Sequence, residues 1–405
     1  MRLTTVAWRN VWRNKRRSIV ILVSIMVGVI ATVLMDTLSR GMIFQILDNQ
    51  IRSHVSHLQI HREGFRDNPV IQATIPDADR VEDALKNVRG IASSTPRVLT
   101  YGLISSATNS SGIFLLGVDH DREKNVTTIN KSLLAGEYLS GKPNEAVIGE
   151  ALAEKLGVGL GDRIVAMASA VDGHVGSDVF RIVGLFETFS SEFDKSTIYI
   201  PLASAQSMLT IGDRVSEFAL IMSDLERLPA IQKSLKEQLG DGYEVFTYGE
   251  ILPLLLAQID MYDQSMFIFY GIIGIALIFG IINTMLMSVF ERIHEFGVLK
   301  AIGMPDSRLL MMVLLEALHL GIIGTALGFA IGYALYLPLS HTGLDLRMFS
   351  DGLRSFGVGA IIYPVLTWGS VVNALFIIPF ISVIGALYPA MRAARLTPVS
   401  AIRHV

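Results

Sequence analysis

Few residues in this chain have the types and spacing that chemistry needs. His54, His57 and His61 lie close together, and at helical spacing three imidazoles could converge on a metal ion. On a strand, His57, Gln59 and His61 would instead form a wet face, with Leu58 and Ile60 buried behind it. The stretch GEYLSGKP from Gly136 has the glycine and lysine spacing of a phosphate-binding loop. Pro143, however, stands where a hydroxyl would hold magnesium, so the stretch reads as an ordinary loop. Glu316 and His319, three residues apart in an apolar run, read either as a proton relay or as an interfacial carboxylate hydrogen-bonded to a neighbouring helix. The patterns H-E-x-x-H and G-x-S-x-G are absent, and there is no cysteine to serve as nucleophile, thiolate ligand or disulfide. We assign no catalytic, cofactor-binding or metal-binding residue, and the chain does not read as an enzyme.

A different kind of site is carried by FERIHEFGVLKAIGMPDSRLL, Phe290 to Leu310, which lies between two long apolar runs. As a helix it would show Glu291, Arg292, Glu295 and Lys300 as a partly self-neutralising surface, with Phe296, Val298, Leu299 and Ile302 as apolar contacts. Gly303 and Pro305 should stop that helix, and Asp306-Ser307 should cap the next one. A plain linker needs no such order. The segment reads as a docking element for a partner, with packing against its own flanking helices as the alternative.

The elements that position this segment are built for lipid. Of the 405 residues 51% are hydrophobic and 18% charged, against about 25% charged in soluble proteins. A spanning helix needs about 20 apolar residues, and residues 18–38, 265–290, 309–339 and 371–389 qualify. The first reads as a retained anchor, because no small-residue cleavage site follows it. Basic residues set the orientation. Arg2, Arg9, Arg13, Lys15, Arg16 and Arg17 precede the first span, Arg292, Lys300 and Arg308 separate the second and third, and Arg392, Arg395 and Arg403 follow the fourth. The basic amphipathic segment 1–17, the segment 291–308 and the tail 390–405 are therefore expected to be cytoplasmic. Residues 39–264 and the loop 340–370 are expected outside. So short a basic patch beside an apolar run argues for membrane lipid rather than nucleic acid. In the third span Ala317, Gly321, Gly324, Gly328 and Gly332 form a small-residue stripe, either packing within the chain or forming a subunit interface.

Residues 39–264 change periodicity along their length. Val81, Ala84, Leu85 and Val88, and later Leu228, Ile231, Leu235 and Leu239 before Gly240, repeat at helical spacing. Between them, GLISSATNSSGIFLLGVD and DRIVAMASAVDGHVGSDVFRIVGLF read as strand pairs around polar turns. The expected fold class is thus four transmembrane helices with a large mixed α/β domain between helices 1 and 2, including a β-rich insertion over about residues 102–201. Residues 39–51 should continue the first helix outward, and residues 249–264 should lead helically into the second.

The motif E-R-x-x-E-F-G-V-L-K-A-I-G, Glu291 to Gly303, resembles the segment after the second span in the FtsX-like permeases, the superfamily of MacB, LolC and LolE. The ending YPAMRAARLTPVSAIR, the opening AWRNVWRNKRRS and the stretches VIGEALAEKLGVGLGDRIV and FRIVGLFETFSSEFDKSTIYIPLASAQSML extend the resemblance over nearly the whole chain. It implies a subunit of a type VII ABC transporter in the bacterial inner membrane, paired with a second permease copy or paralogue and a separate ATPase dimer that holds ATP and Mg. Glu291, Arg292, Glu295, Phe296, Gly297, Lys300, Ala301 and Gly303 would then be ATPase-coupling residues. MacB carries its ATPase at the N-terminus, whereas this chain opens at the first span. The layout resembles LolC and LolE and implies lipoprotein cargo. Efflux with a periplasmic adaptor and regulation of a cell-wall hydrolase remain alternatives within the family, and an ATPase-independent receptor is the alternative outside it.

Overall fold

Uninterrupted apolar sequence becomes four long helices, Lys15–Gln50, Pro253–Glu291, Asp306–Thr342 and Trp368–Ala394, referred to below as the first to fourth spans. The computed structural model describes residues 3–13, 15–355 and 357–397. Among the described residues these four helices are long and apolar enough to cross a membrane. The chain divides into a helical unit, Met1–Ile43 with Gln258–Asp345 and Ile361–Val405, and an α/β unit, Phe44–Ala257 with Leu346–Ala360. Residues 346–360 of the expected short loop thus belong to the α/β unit. Arg354 pairs there with Glu187, and Asn49 Nδ2 donates to the Gly357 carbonyl at 3.1 Å.

The core of the helical unit gathers Ile25 and Val29 of the first span, Leu277 and Ile281 of the second, Ala317 and Leu320 of the third, and Ile378 and Ala386 of the fourth. The glycine stripe explains how these helices come so close. A Cβ added at Gly324 would sit 2.8 Å from Ile25, and one at Gly328 would sit 2.8 Å from Val29 and 3.0 Å from the Met26 backbone. At Gly321 it would meet Ser382 at 3.0 Å, and at Gly332 it would meet Val33 at 3.4 Å. Of the two readings of the stripe, the structure displays packing within the chain, with the first and fourth spans sharing it. Gly328→Leu should therefore destabilise the detergent-solubilised protein by the roughly 1–3 kcal/mol typical of overpacking, read as a lower thermal inactivation midpoint. Gly271→Leu, where a Cβ meets nothing within 4 Å, should leave the midpoint unchanged.

In the α/β unit the strands are β1 (Leu58–Arg62), β2 (Ile91–Ser105), β3 (Ser110–Val118), β4 (Leu133–Gly136), β5 (Glu145–Gly149), β6 (Arg163–Ser169), β7 (Val175–Phe186), β8 (Thr197–Pro201), β9 (Glu217–Met222) and β10 (Tyr243–Thr247). Among the described residues they form one sheet in the order β10-β1-β9-β2-β3-β8-β5-β7-β4, with β6 paired to β2 and β7. Helices Ala78–Lys86 and Leu228–Leu239 bury Val81, Ala84, Leu85, Leu228, Ile231, Leu235 and Leu239 against Leu58, Ile60, Phe218 and Val245, the faces that the sequence marks. Gly240, at φ +69°, supplies the left-handed residue that ends the second of these helices. The Asp172-Gly173 turn also forms between β6 and β7, with Gly173 at φ +83°.

The strand 55–61 is the main departure from expectation. β1 covers Leu58–Arg62 and is paired on both edges, and with Phe65 stacked over His61 the side chains of Gln59 and His61 are 8% and 2% exposed rather than wet. Behind them lies a buried ion cluster. Arg97 donates from Nε and Nη2 to Glu123 at 3.0 and 2.8 Å, and from Nη1 to Glu217 at 2.8 Å and to the His54 carbonyl at 2.7 Å. Arg97, Glu123 and Glu217 are all buried. The first span ends in a π-helical turn, Ile51–Val55, and Ser56 follows at φ +64°. Arg97 therefore holds a carbonyl at the end of a helix, one of those that the helix itself leaves without a partner.

Candidate functional site

The segment 291–303 folds as a short helix, Ile293–Ala301, with Arg292 at its N-cap and Gly303 at φ +95° beyond its end. The next helix opens at Asp306 behind Pro305, with no side-chain cap bond. Asp306 instead pairs with Lys300 Nζ at 2.8 Å, which corrects the expected capping role.

The charged side chains of this segment turn towards their own unit. Arg292 Nη1 donates to both carboxylate oxygens of Glu316, at 3.1 and 3.0 Å, and Asn10 Nδ2 donates to the same group at 2.6 Å. Glu295 accepts from Arg13 at 2.5 Å and from Arg292 Nε at 3.2 Å. Arg17 pairs with Glu291 and Ser288. Lys300 Nζ donates to the carbonyls of Ala394 and Leu396 at 2.6 and 2.7 Å, where they emerge from the fourth helix. Burial pushes the Glu295 carboxyl up, but the hydrogen bonds from Arg13 and Arg292 outweigh it and hold the group below the usual glutamate value. All of these groups except Lys300 and its two carbonyl partners line a cavity of about 220 Å³. The N-terminal helix Leu3–Arg13, expected from sequence only as a basic amphipathic segment, supplies Asn10 and Arg13 to this network. Sequence reasoning missed those two roles, because no local pattern links positions about 300 residues apart.

Phe296 is 1% exposed and lies beneath the Arg292 guanidinium, 5.0 Å from its ring centroid. Gly297 is buried as well. Both were expected on the docking surface and are instead part of the packing. Outward the segment presents Val298 and Ile302, 43% and 75% exposed, with His294, Ala301 and Gly303, and with Glu291 and Glu295, which stay exposed although they are ion-paired. The arrangement is an apolar edge on a short helix whose ionic groups bind it to the N-terminal helix, the third span and the C-terminal helix.

The other candidates separate. Glu316 is buried and hydrogen-bonded to Asn10 and Arg292, while His319 Nδ1 meets its own helix at the Leu315 carbonyl, 2.6 Å away, and Trp8 packs edge-on at 5.6 Å. His54 stacks on Phe193, His57 Nδ1 accepts from the Met222 backbone at 2.9 Å, and His61 stacks on Phe65. Among the described residues no group of three or more His, Cys, Asp or Glu side chains is placed to hold a metal ion. GEYLSGKP runs from the end of β4 into a loop in which Glu145 binds the Ser140 backbone and hydroxyl at 2.7 Å, not into the helix a phosphate loop requires.

Four helices of spanning length among the described residues, with a mixed α/β domain inserted between the first and second, mark a polytopic membrane protein. The family described as MacB-like periplasmic core domain matches residues 18–238, and the FtsX-like permease C-terminal family matches residues 267–398. The chain belongs to the FtsX-like permeases with a MacB-type periplasmic core domain, a family of ABC transporter permeases. It is 23% identical to the lipoprotein-releasing system transmembrane protein LolC of Neisseria meningitidis, over 97% of this chain and 96% of that protein. It is 26% identical to the macrolide export ATP-binding/permease protein MacB of Bdellovibrio bacteriovorus, over 96% of this chain and 60% of that protein. The crystal structure of the periplasmic region of MacB from Actinobacillus actinomycetemcomitans aligns over 52% of this chain and 97% of that one, at 17% identity and a TM-score of 0.36.

Proposed function

We propose that this chain is the non-catalytic permease subunit of a transporter in the bacterial inner membrane, and that it carries the work of a separate cytoplasmic ATPase dimer, which holds ATP and Mg, to the periplasmic-type domain. Both termini and the segment 291–303 face the ATPase in this reading, and a second permease copy or paralogue completes the assembly. Closure of the ATPase pair presses on the short helix, and the long helices carry the displacement outward. The coupling requires that the ATPase contact one permease state better than another, because a ligand with equal affinity for both shifts nothing. One observation supports the reading: Val298 and Ile302 stand outward on a segment whose Glu291, Arg292, Glu295 and Lys300 are each paired with a residue of another helix. A push on the apolar edge reaches the N-terminal helix and the first, third and fourth spans through those ion pairs and hydrogen bonds. Glu291, Arg292, Glu295, Phe296, Gly297 and Lys300 then act as the mounting of the segment, and Val298, Ala301, Ile302 and Gly303 as its contact edge.

Release of lipoproteins from the membrane is the proposed cargo step, supported by the end-to-end match with LolC. Efflux through a periplasmic adaptor is the second reading, favoured by the similarity to MacB over 96% of this chain. The test of the coupling is the double variant Val298→Asp/Ile302→Asp. Both positions are exposed, so the folded permease should purify normally while co-purification of the ABC ATPase falls at least tenfold. Retention of the ATPase at the wild-type level, with wild-type transport, would remove the basis of the reading.

A further inference from the structure

The N-terminal helix, Leu3–Arg13, carries a face that the coupling does not use. Its packed side is Ala7 and Val11, and from the neighbouring flank Asn10 and Arg13 reach Glu316 and Glu295. At about 100° per residue, Trp8 and Trp12 lie about 160° round the helix from Asn10. They are 44% and 45% exposed, with their rings edge-on and 6.0 Å apart. Indole has an apolar body and one N–H donor, so an open pair of them suits the boundary between hydrocarbon and water rather than bulk water.

The third span fixes the depth of that pair. Trp8 packs on His319, and from Leu320 to Leu339 the span carries no charge. Those residues rise about 30 Å, which matches the hydrocarbon thickness. Trp8 and His319 therefore stand at the rim of the hydrocarbon, on the side of the segment 291–303. One turn further in, Ile322 is exposed, and beyond Trp12 the first span exposes Ile19, Val20, Val23 and Val27. The two indoles thus continue the exposed apolar surface of both spans up to the level of the headgroups.

The basic residues beside the indoles divide into two sets. Arg13 pairs with Glu295 and Arg17 with Glu291, so both are satisfied within the chain. Arg9, Lys15 and Arg16 are exposed and, among the described residues, pair with no carboxylate. Arg9 lies about 60° round the helix from Trp12, while Lys15 and Arg16 open the first span just beyond it. Three uncompensated cations next to interfacial indoles fit a layer of phosphates with net negative charge. A zwitterionic headgroup, whose own choline neutralises its phosphate, attracts them less.

We propose that the N-terminal helix lies in the headgroup layer of the cytoplasmic leaflet and binds anionic phospholipid there, with Trp8 and Trp12 at the acyl boundary and Arg9, Lys15 and Arg16 on the phosphates. The choice of leaflet rests on the proposed orientation, but the lipid contact needs no ATPase and is tested without one. The lipid is then held by the helix that also supplies Asn10 and Arg13 to the coupling segment. The chain has three tryptophans, so the full-length variant Trp368→Phe keeps only the indoles of Trp8 and Trp12. That variant is placed in nanodiscs of equal parts phosphatidylglycerol and phosphatidylcholine, with bromine on the acyl chains of one lipid at a time. Bromine quenches an indole that it touches, so the ratio of quenching reads which lipid lies alongside. Brominated phosphatidylglycerol should quench about twofold more than brominated phosphatidylcholine, and adding Arg9→Gln/Lys15→Gln/Arg16→Gln should bring the ratio to about one. Equal quenching by the two lipids in Trp368→Phe, a ratio unchanged by the three glutamines, or no quenching by either lipid overturns the proposal. Should the triple variant fail to insert, salt decides in its place. At about 1 M salt, where screening acts within about 3 Å, the preference should fall by about half or more, and a preference indifferent to salt counts against the site. Failure of ATPase co-purification with this lipid preference intact counts against the coupling alone.

Discussion

Arg97→Met should destabilise the periplasmic-type domain by about 3–5 kcal/mol, the usual cost of breaking a buried ion pair from one side. The substitution leaves Glu123 and Glu217 buried without a counter-charge and leaves the His54 carbonyl without its donor. The size of the effect comes from the stranded anions rather than from the attraction itself. A triple variant, Arg97→Met/Glu123→Gln/Glu217→Gln, should therefore recover most of the loss. Chemical unfolding of the purified protein, followed by protease protection of the α/β unit, measures both. If the single and triple variants fall equally far, the cluster is not held by charge compensation.

The second large effect is acid sensitivity. His54 and His61 stay neutral in the folded domain down to about pH 4, whereas in an unfolded chain they titrate near 6.5. Between pH 6.5 and pH 4 the unfolded chain takes up protons that the folded domain refuses. Stability is therefore intact above 6.5 and declines as the pH falls through that window, by up to about 3 kcal/mol per histidine. Asp194 opposes this trend. Burial pushes its carboxyl up to about 6, so the folded state takes its proton before the unfolded state does and gains stability over much of the same range. Comparing variants isolates the histidine contribution. Lowering the pH from 7 to 4.5 should shift the stability difference between wild type and His61→Gln by about 2–3 kcal/mol in favour of the variant. A difference independent of pH would show that His61 is not protected from protonation.

The long-range architecture was legible because lipid imposes a simple rule on sequence. Unbroken apolar runs marked the four helices, and the helical periodicity ending at Gly240 marked its helix to the residue. Partner choice was not legible. The stretch His57–His61 alternates like a strand with one wet face, but Phe65 and the Arg97 ion cluster cover that face, so its burial was decided by residues that no local pattern joins to it. Glu123 and Glu217 lie 26 and 120 residues from Arg97, and only the folded sheet brings them together. The same limit applied to the segment after the second span. Its residue types announced a special helix, yet which side chains face outward depended on Asn10, Arg13 and Glu316, none of them nearby in sequence. Charges that looked like a contact surface became fastenings, and two of the apolar positions remained free.

The seam between the first and third spans has a consequence for the energised membrane. Where Gly324 and Gly328 lie against Ile25 and Val29, there is no space for even one added carbon, and hence none for a file of water. In this packing the contact offers protons no chain of water to follow. Under the proposed coupling, a push on these helices moves a seam that holds no such file of water.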